Sequence, residues 1–259
     1  MATGLYRDHG VVLRTWKLGE ADRIASVLTR TNGKIRAVAK GARKVRSRFG
    51  ARVEPGTHLA LQLYAGRGEL DTITQAQAVD AMAATRSDLH RLSRAAVMLE
   101  VSEHASLDRQ PNAPLYHLLL GALRSLDRDD QPLVVAGFVL KLLAQEGVQP
   151  DLEHCTGCGS VDDLVTVDAA GGGVRCRRCR LGIPVSSEAL AVMRAIAAGR
   201  LRDVIGLPES DVTRVVEHVA LAAVEQHLER RVRAAGISLD HMHMPPPSRP
   251  AAVRRPTGA

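Results

Sequence analysis

Hydrophobic and polar positions alternate with a period of two through the first third of the chain and change to a helical period afterwards. Between residues 5 and 80, five segments carry a strand pattern: 11–16, 23–29, 34–40, 57–64 and 69–76. The fourth alternates most cleanly, with Leu59, Leu61 and Leu63 on one face and His58, Ala60 and Gln62 on the other, as a half-buried antiparallel strand should. Asn32-Gly33 predicts a two-residue hairpin turn, and Gly66-Arg67-Gly68 can reverse the chain between the last two strands. Five strands within about 75 residues predict a small barrel, a class that includes the OB-fold.

From about residue 86, Leu89, Leu92, Ala96 and Leu99 recur at three- and four-residue steps, predicting a helix with that face buried. Pro114 and Pro132 stand at first helical positions ahead of the apolar runs 115–126 and 133–143, and Gly147 closes the second. Ser186-Ser187-Glu188 opens a helix that Gly199 ends, and Pro208 opens a long one reaching Gly236. After His241, five prolines from Pro245 to Pro256 with Arg249, Arg254 and Arg255 predict a flexible basic tail. The expected architecture is α+β and multidomain: a five-stranded OB-fold barrel (1–80), a helical bundle (81–150), a four-cysteine module (151–184), helices completing the helical domain (185–240) and the tail (241–259).

No uncharged apolar stretch reaches the roughly 18 to 20 residues of a membrane span, so a spanning protein is excluded. Arg7, Asp8 and His9 interrupt what an export signal would need, and the expected location is the cytoplasm, associated with the nucleoid. Charge sharpens the picture because it is uneven. Residues 1–80 hold 14 Lys and Arg against 7 Asp and Glu, whereas the remainder carries 21 of each sign. Nine cations and no acid lie between Arg30 and Arg52. A solvated loop is one reading of such a run; inside a barrel of this type, a seat for nucleic-acid backbone is the favoured one. The expected contacts are Lys34, Arg36, Lys40, Arg43, Lys44, Arg46, Arg48 and Arg52. Six or more neutralised phosphates would cost about 10³ in affinity between 50 and 200 mM salt. Of only six aromatic residues, Trp16, Phe49 and Tyr64 lie near the run, each equally a core side chain or a stacking platform, so phosphate contact is expected to dominate.

Cys155-x2-Cys158 and Cys176-x2-Cys179, separated by seventeen residues, have the spacing of a structural zinc site. Gly157 and Gly159 suit the tight turns, and residues 164–167 with the triple glycine 171–173 predict a hairpin returning the second pair to the first. Four thiolates fill a tetrahedral shell, so one zinc ion would brace the fold and leave no position open for chemistry. Disulfides, a redox dithiol and unrelated buried cysteines are the alternatives. Zinc deaminases need a His-x-Glu ahead of the cysteines, and the only such triplet, His227-Leu228-Glu229, follows them. Phosphate-cradling and nucleophile-elbow motifs are absent, so no nucleotide use and no enzymatic activity are expected. Glu100 and His104, one turn apart, lack a third ligand.

The stretch Lys40-Gly41-Ala42-Arg43-Lys44, Ser47-Arg48-Phe49-Gly50, Glu54-Pro55, with Tyr64, Gly66-Arg67-Gly68-Glu69-Leu70 and Thr72-Ile73-Thr74, resembles the N-terminal domain of the bacterial recombination mediator family RecO. Phe138, residues 140–143, Gly147, Pro150-Asp151-Leu152 and Cys155-x2-Cys158-Gly159 resemble that family's passage from helical bundle into cysteine module. The resemblance implies a non-catalytic DNA repair protein that binds single- and double-stranded DNA, anneals complementary strands and, with RecR, helps load RecA onto DNA coated by the single-strand-binding protein SSB. It implies DNA contacts at Lys40, Arg43, Lys44, Arg46 and Arg48, and a seat for the acidic, apolar SSB tail on the helical domain, with Arg124, Arg128 and Lys141 as rim cations. A zinc-stabilised RNA-binding or ribosome-associated factor, or an enzyme of unrecognised type, remains open beside it.

Overall fold

The computed structural model describes residues 4–240 except positions 48, 50, 51 and 67, and no side chains beyond residue 236. Arg48, Arg67 and the tail expected at 241–259 lie outside the described residues. Five strands form where the alternation places them: β1 (Gly4–Leu18), β2 (Asp22–Thr29), β3 (Gly33–Ala39), β4 (His58–Ala65) and β5 (Asp71–Asp80). They close a barrel in the order β1-β2-β3-β5-β4, antiparallel except where Ala37 and Val38 pair in parallel with Asp71 and Thr72. This is an OB-fold. Val12, Val27, Ile35, Leu59, Leu61, Leu63 and Ile73 fill the interior, which is the face the period-two pattern of β4 assigns to the core. A register shift between Val12 and Arg14 bends β1, so Val12 stays inside while Val11 and Leu13 join the core of the helices.

The turn after β2 differs from the two-residue expectation. Three residues, 30–32, separate Thr29 from its partner Gly33, and Gly33 alone takes a left-handed φ of 68°. The Asp8 carboxylate accepts from the Thr31 hydroxyl and the Asn32 amide, each at 2.7 Å, which fixes the wider turn. A Cβ on Gly33 would stand 2.1 Å from the Gln110 carbonyl oxygen, so the position also admits the loop of the helical region.

The helical region comprises α1 (Ala83–Ser87), α2 (Leu89–Ala105), α3 (Ala113–Arg128), α4 (Val134–Gln145), α5 (Ser187–Ala197), α6 (Leu201–Val204), α7 (Asp211–Leu228) and α8 (Arg233–Asp240). Asp88, Asn112, Ser186 and Ser210 cap α2, α3, α5 and α7 with side-chain oxygens, and Gly147 and Gly199 turn left-handed after α4 and α5. Pro132 falls ahead of the α4 cap rather than at its first position. No helix among the described residues is long and apolar enough to cross a membrane.

Two expectations are corrected here. Leu89 and Leu92 are 60% and 44% exposed; of the expected face Leu99 is buried, and α2 also buries Ala95, Val97, Met98 and Val101. Enclosed by β1, α3, α4 and α8, α2 buries most of its girth beyond the first turn, and period alone cannot choose between its flanks. The long helix expected from Pro208 to Gly236 is two. Glu229 turns left-handed with φ 50°, the Glu225 carboxylate accepts from the Val232 N–H at 2.8 Å, and the Glu100 carboxylate receives the Arg233 and Ala234 N–H groups at the start of α8. Glu100 is therefore a cap supplied from another helix, and its 3.7 Å contact with His104 is secondary.

The barrel is tied to the helices by polar contacts. Arg109, in the α2–α3 loop, reaches the buried Asp71 at 2.8 Å; His58 shares a 2.9 Å hydrogen bond with the Tyr116 hydroxyl; and Arg124 pairs with Asp80 at 2.6 Å. Arg124 is thereby fixed at the junction.

Candidate nucleic-acid interface and metal centre

The loop of residues 40–57 runs across one end of the barrel. Phe49 and Val53, at 1% and 0% exposure, insert into the barrel core together with Ala42 and close it like a plug. Arg23 donates to the Val53 carbonyl at 2.9 Å and pairs with Glu54, while the Asp22 carboxylate accepts from the Gly41 N–H at 2.7 Å. The Arg43 N–H donates to the Ala21 carbonyl at 2.9 Å. Anchored at both ends, the loop presents Lys40, Arg43, Lys44 and Arg46 to solvent, with Val45 fully exposed at its tip. Among the described residues no carboxylate pairs with Lys40, Arg43, Lys44 or Arg46, and the Arg43 guanidinium donates to the Gly19 carbonyl at 3.1 Å. Arg52 is exposed as well.

The strand half of the same basic run is arranged differently. Lys34, with a side chain only 12% exposed, donates to the Glu103 carbonyl at 2.8 Å and lies 3.4 Å from Asp108. Arg36 pairs with Asp108 at 2.7 Å and holds that carboxyl below its ordinary range. Lys34 is committed to the end of α2 and the loop that follows, and Arg36 to that loop. Phe49 is core, Tyr64 is 45% exposed on β4, and Trp16 is half-buried on the outside of the barrel.

The four cysteines come together as the spacing predicts. β6 (Leu164–Asp168) and β7 (Gly173–Cys176) form the expected hairpin, β8 (Ile183–Pro184) adds to it, and a short 3-10 turn carries Cys179. All four sulfurs lie within 4.8 Å of one another. Gly159, with φ 76°, reverses the chain after Cys158, and a Cβ on Gly157 would meet the Cys179 sulfur at 3.2 Å. The Cys176 N–H donates to the Cys155 sulfur at 3.3 Å; backbone donors, this one foremost, bring the Cys155 thiol down to about 6. Cys179 is pushed the other way, to about 12, chiefly by its hydrogen bond with Cys158. Four sulfurs so close cannot all ionise unaided, and a soft divalent cation removes the conflict. The donor set therefore fits a metal ion held by Cys155, Cys158, Cys176 and Cys179.

Residues 1–82 match the family model for the N-terminal part of recombination protein O, and residues 86–236 match the model for its C-terminal part. The chain belongs to the RecO family. Among its relatives are the DNA repair protein RecO of Frankia casuarinae, 46% identical over 236 residues, and that of Thermobifida fusca, 40% identical over 236; each alignment covers 89% of this chain and 96% of the relative. The RecO of Nocardioides is 38% identical over 245 residues, covering 89% and 97%.

Two further basic features of this RecO chain are located only by the fold. Arg128 and Lys141 line a groove between α3, α4 and α6, of about 760 Å³, with Arg202 beside them. Its floor includes Leu118, Ala122 and Phe138. Arg230, Arg231 and Arg233, exposed at the α7–α8 junction, line a second cleft against the barrel. Only the three-dimensional break between the helices brings them to β1; the cluster's spacing was the sole signal in the sequence.

Proposed function

We propose that this protein is a non-catalytic recombination mediator in DNA repair that binds single- and double-stranded DNA on the loop of residues 40–57 and anneals complementary strands. The observation that carries the reading is the anchored, acid-free set Lys40, Arg43, Lys44 and Arg46 on an OB-fold barrel, in a chain whose relatives are named DNA repair protein RecO. Fixed cations screen phosphate repulsion between two strands, so base pairing proceeds without nucleotide hydrolysis. Lys34 and Arg36 support the barrel–helix junction in this reading, while Arg48 and Arg52 extend the charge of the loop. One structural zinc on the four cysteines braces the module. RecR, and through it RecA, are the partners in exchange for SSB, and the groove rimmed by Arg128, Lys141 and Arg202 has the charge and apolar floor to seat the acidic SSB tail.

The test is a labelled oligonucleotide titrated across salt, followed by annealing with and without SSB. Four phosphate contacts predict a fall in affinity of about 50- to 150-fold between 50 and 200 mM salt, gentler than the sequence count suggests. The combined variant Lys40→Ala, Arg43→Ala, Lys44→Ala and Arg46→Ala weakens binding to all sequences alike and flattens the salt slope. Unchanged binding by that variant overturns the site, and a marked preference for RNA overturns the DNA assignment.

A further inference from the structure

Strand register aligns Trp16 with Ile24 and Ile24 with Val38, a row across the outer face of β1, β2 and β3. This row lies on the side of the barrel that carries the basic loop, because Arg43 bonds to Gly19 and Ala21 in the β1–β2 turn. The Arg14 guanidinium stands over the Trp16 ring, 5.1 Å from its centroid. Arg14 also lines the cleft, of about 690 Å³, that separates the barrel from α2 and α8. Leu13, Ala96 and Leu99 contribute apolar surface to it, and Arg230, Arg231 and Arg233 face it from the α7–α8 junction.

Among the described residues, neither carboxylate of this cleft forms an ion pair with those three arginines, which with Arg14 outnumber the two acids. Glu100 is occupied by the Arg233 and Ala234 N–H groups at 3.1 and 2.8 Å, and Glu103 accepts the Ser26 hydroxyl at 2.6 Å. Among the described residues, none of the side chains of Arg230, Arg231 and Arg233 has an ion-pair partner. Cations around an apolar floor, entered past a guanidinium–indole pair, suit a polyanion with exposed flat rings. A duplex hides its rings; an unpaired strand does not.

We propose that a single nucleic-acid strand leaves the basic loop, stacks a base on the Arg14–Trp16 pair and enters this cleft with its phosphates on Arg230, Arg231 and Arg233. The inference rests on the nucleic-acid reading above and adds to it a preference for unpaired strands and a path. Trp16 is the chain's one tryptophan, so its emission reports the stack directly. Oligothymidylate quenches that emission, and a blunt duplex of equal length leaves it nearly unchanged. Trp16→Ala lowers single-strand affinity by about 5- to 100-fold while duplex affinity holds, and Trp16→Phe restores most of the loss. The combined variant Arg230→Ala, Arg231→Ala and Arg233→Ala removes about two from the slope of log affinity against log salt for single strands. An oligonucleotide that binds by anisotropy with silent tryptophan emission overturns the stack alone, and an unchanged slope overturns the cleft. Failure of every oligonucleotide to bind in dilute salt overturns this proposal and the reading beneath it together.

Discussion

The basic loop and the cysteine module are both inserted between larger elements of the fold, yet they are held in opposite ways. Residues 40–57 are fixed by apolar insertion: Phe49, Val53 and Ala42 reach into the barrel, and short polar ties from Asp22 and Arg23 secure the ends. The module has little core of its own. Val167 and Val174 join the large helical core, and what gathers the rest is four sulfurs within 4.8 Å. Charge in the loop can therefore face outward without unfolding it, whereas the module's centre is a donor set that fits a metal ion. One segment is a charged surface carried by a core; the other gathers four thiol groups into a site that fits a metal brace.

Removing the brace is the largest perturbation. Cys155→Ser with Cys158→Ser halves the donor set, and because metal binding energy is part of folding energy, several kcal/mol of stability of the helical region should be lost, where structural zinc contributes about 10 kcal/mol or more in isolated fingers. Metal analysis with chemical denaturation measures it. DNA binding by the barrel loop should survive at temperatures where the remaining structure holds. Full stability in metal-free protein would remove the contrast between the two segments.

Withdrawing the plug comes next. Phe49→Ala leaves a void at the end of the barrel and should cost about 3 to 5 kcal/mol, read as a shift of the denaturation midpoint at unchanged slope. The same substitution loosens the loop, so affinity for oligonucleotides falls although no cation has been removed. A variant that loses stability and keeps full affinity would show that the loop cations need no fixed frame.

What was legible in the sequence follows the same division. Cysteine spacing is local chemistry, and the hairpin between the pairs could be read from the triple glycine, so the module emerges as expected. The strands were legible because β4 is half-buried and its alternation shows it. The flank of α2 was not, since Leu89 and Leu92 obey the helical period yet lie outside the packed layers. The break at Glu229 depends on Glu100, more than a hundred residues away, capping α8. Phe49 could not be separated from a stacking residue by composition, and Arg14 acquires meaning only through the bend in β1 that sets it beside Trp16 and the cleft.

The smallest effect divides the basic run itself. Lys34 and Lys44 belong to one acid-free stretch, but Lys34 donates to the Glu103 carbonyl and faces Asp108, whereas Lys44 is exposed. Lys34→Ala strands a largely buried acceptor and loosens the barrel–helix junction, which should cost about 1 to 3 kcal/mol. Its salt slope for DNA should stay that of the parent, because the ammonium group already has protein partners. Lys44→Ala reverses the pattern: stability stays within about 0.5 kcal/mol, as for other exposed side chains, and the salt slope drops by about 0.7 to 0.9. Denaturation and salt titration of the two single variants therefore give crossed results. Equal slopes lost at both positions would mean that the junction opens on binding and releases Lys34 to the phosphates.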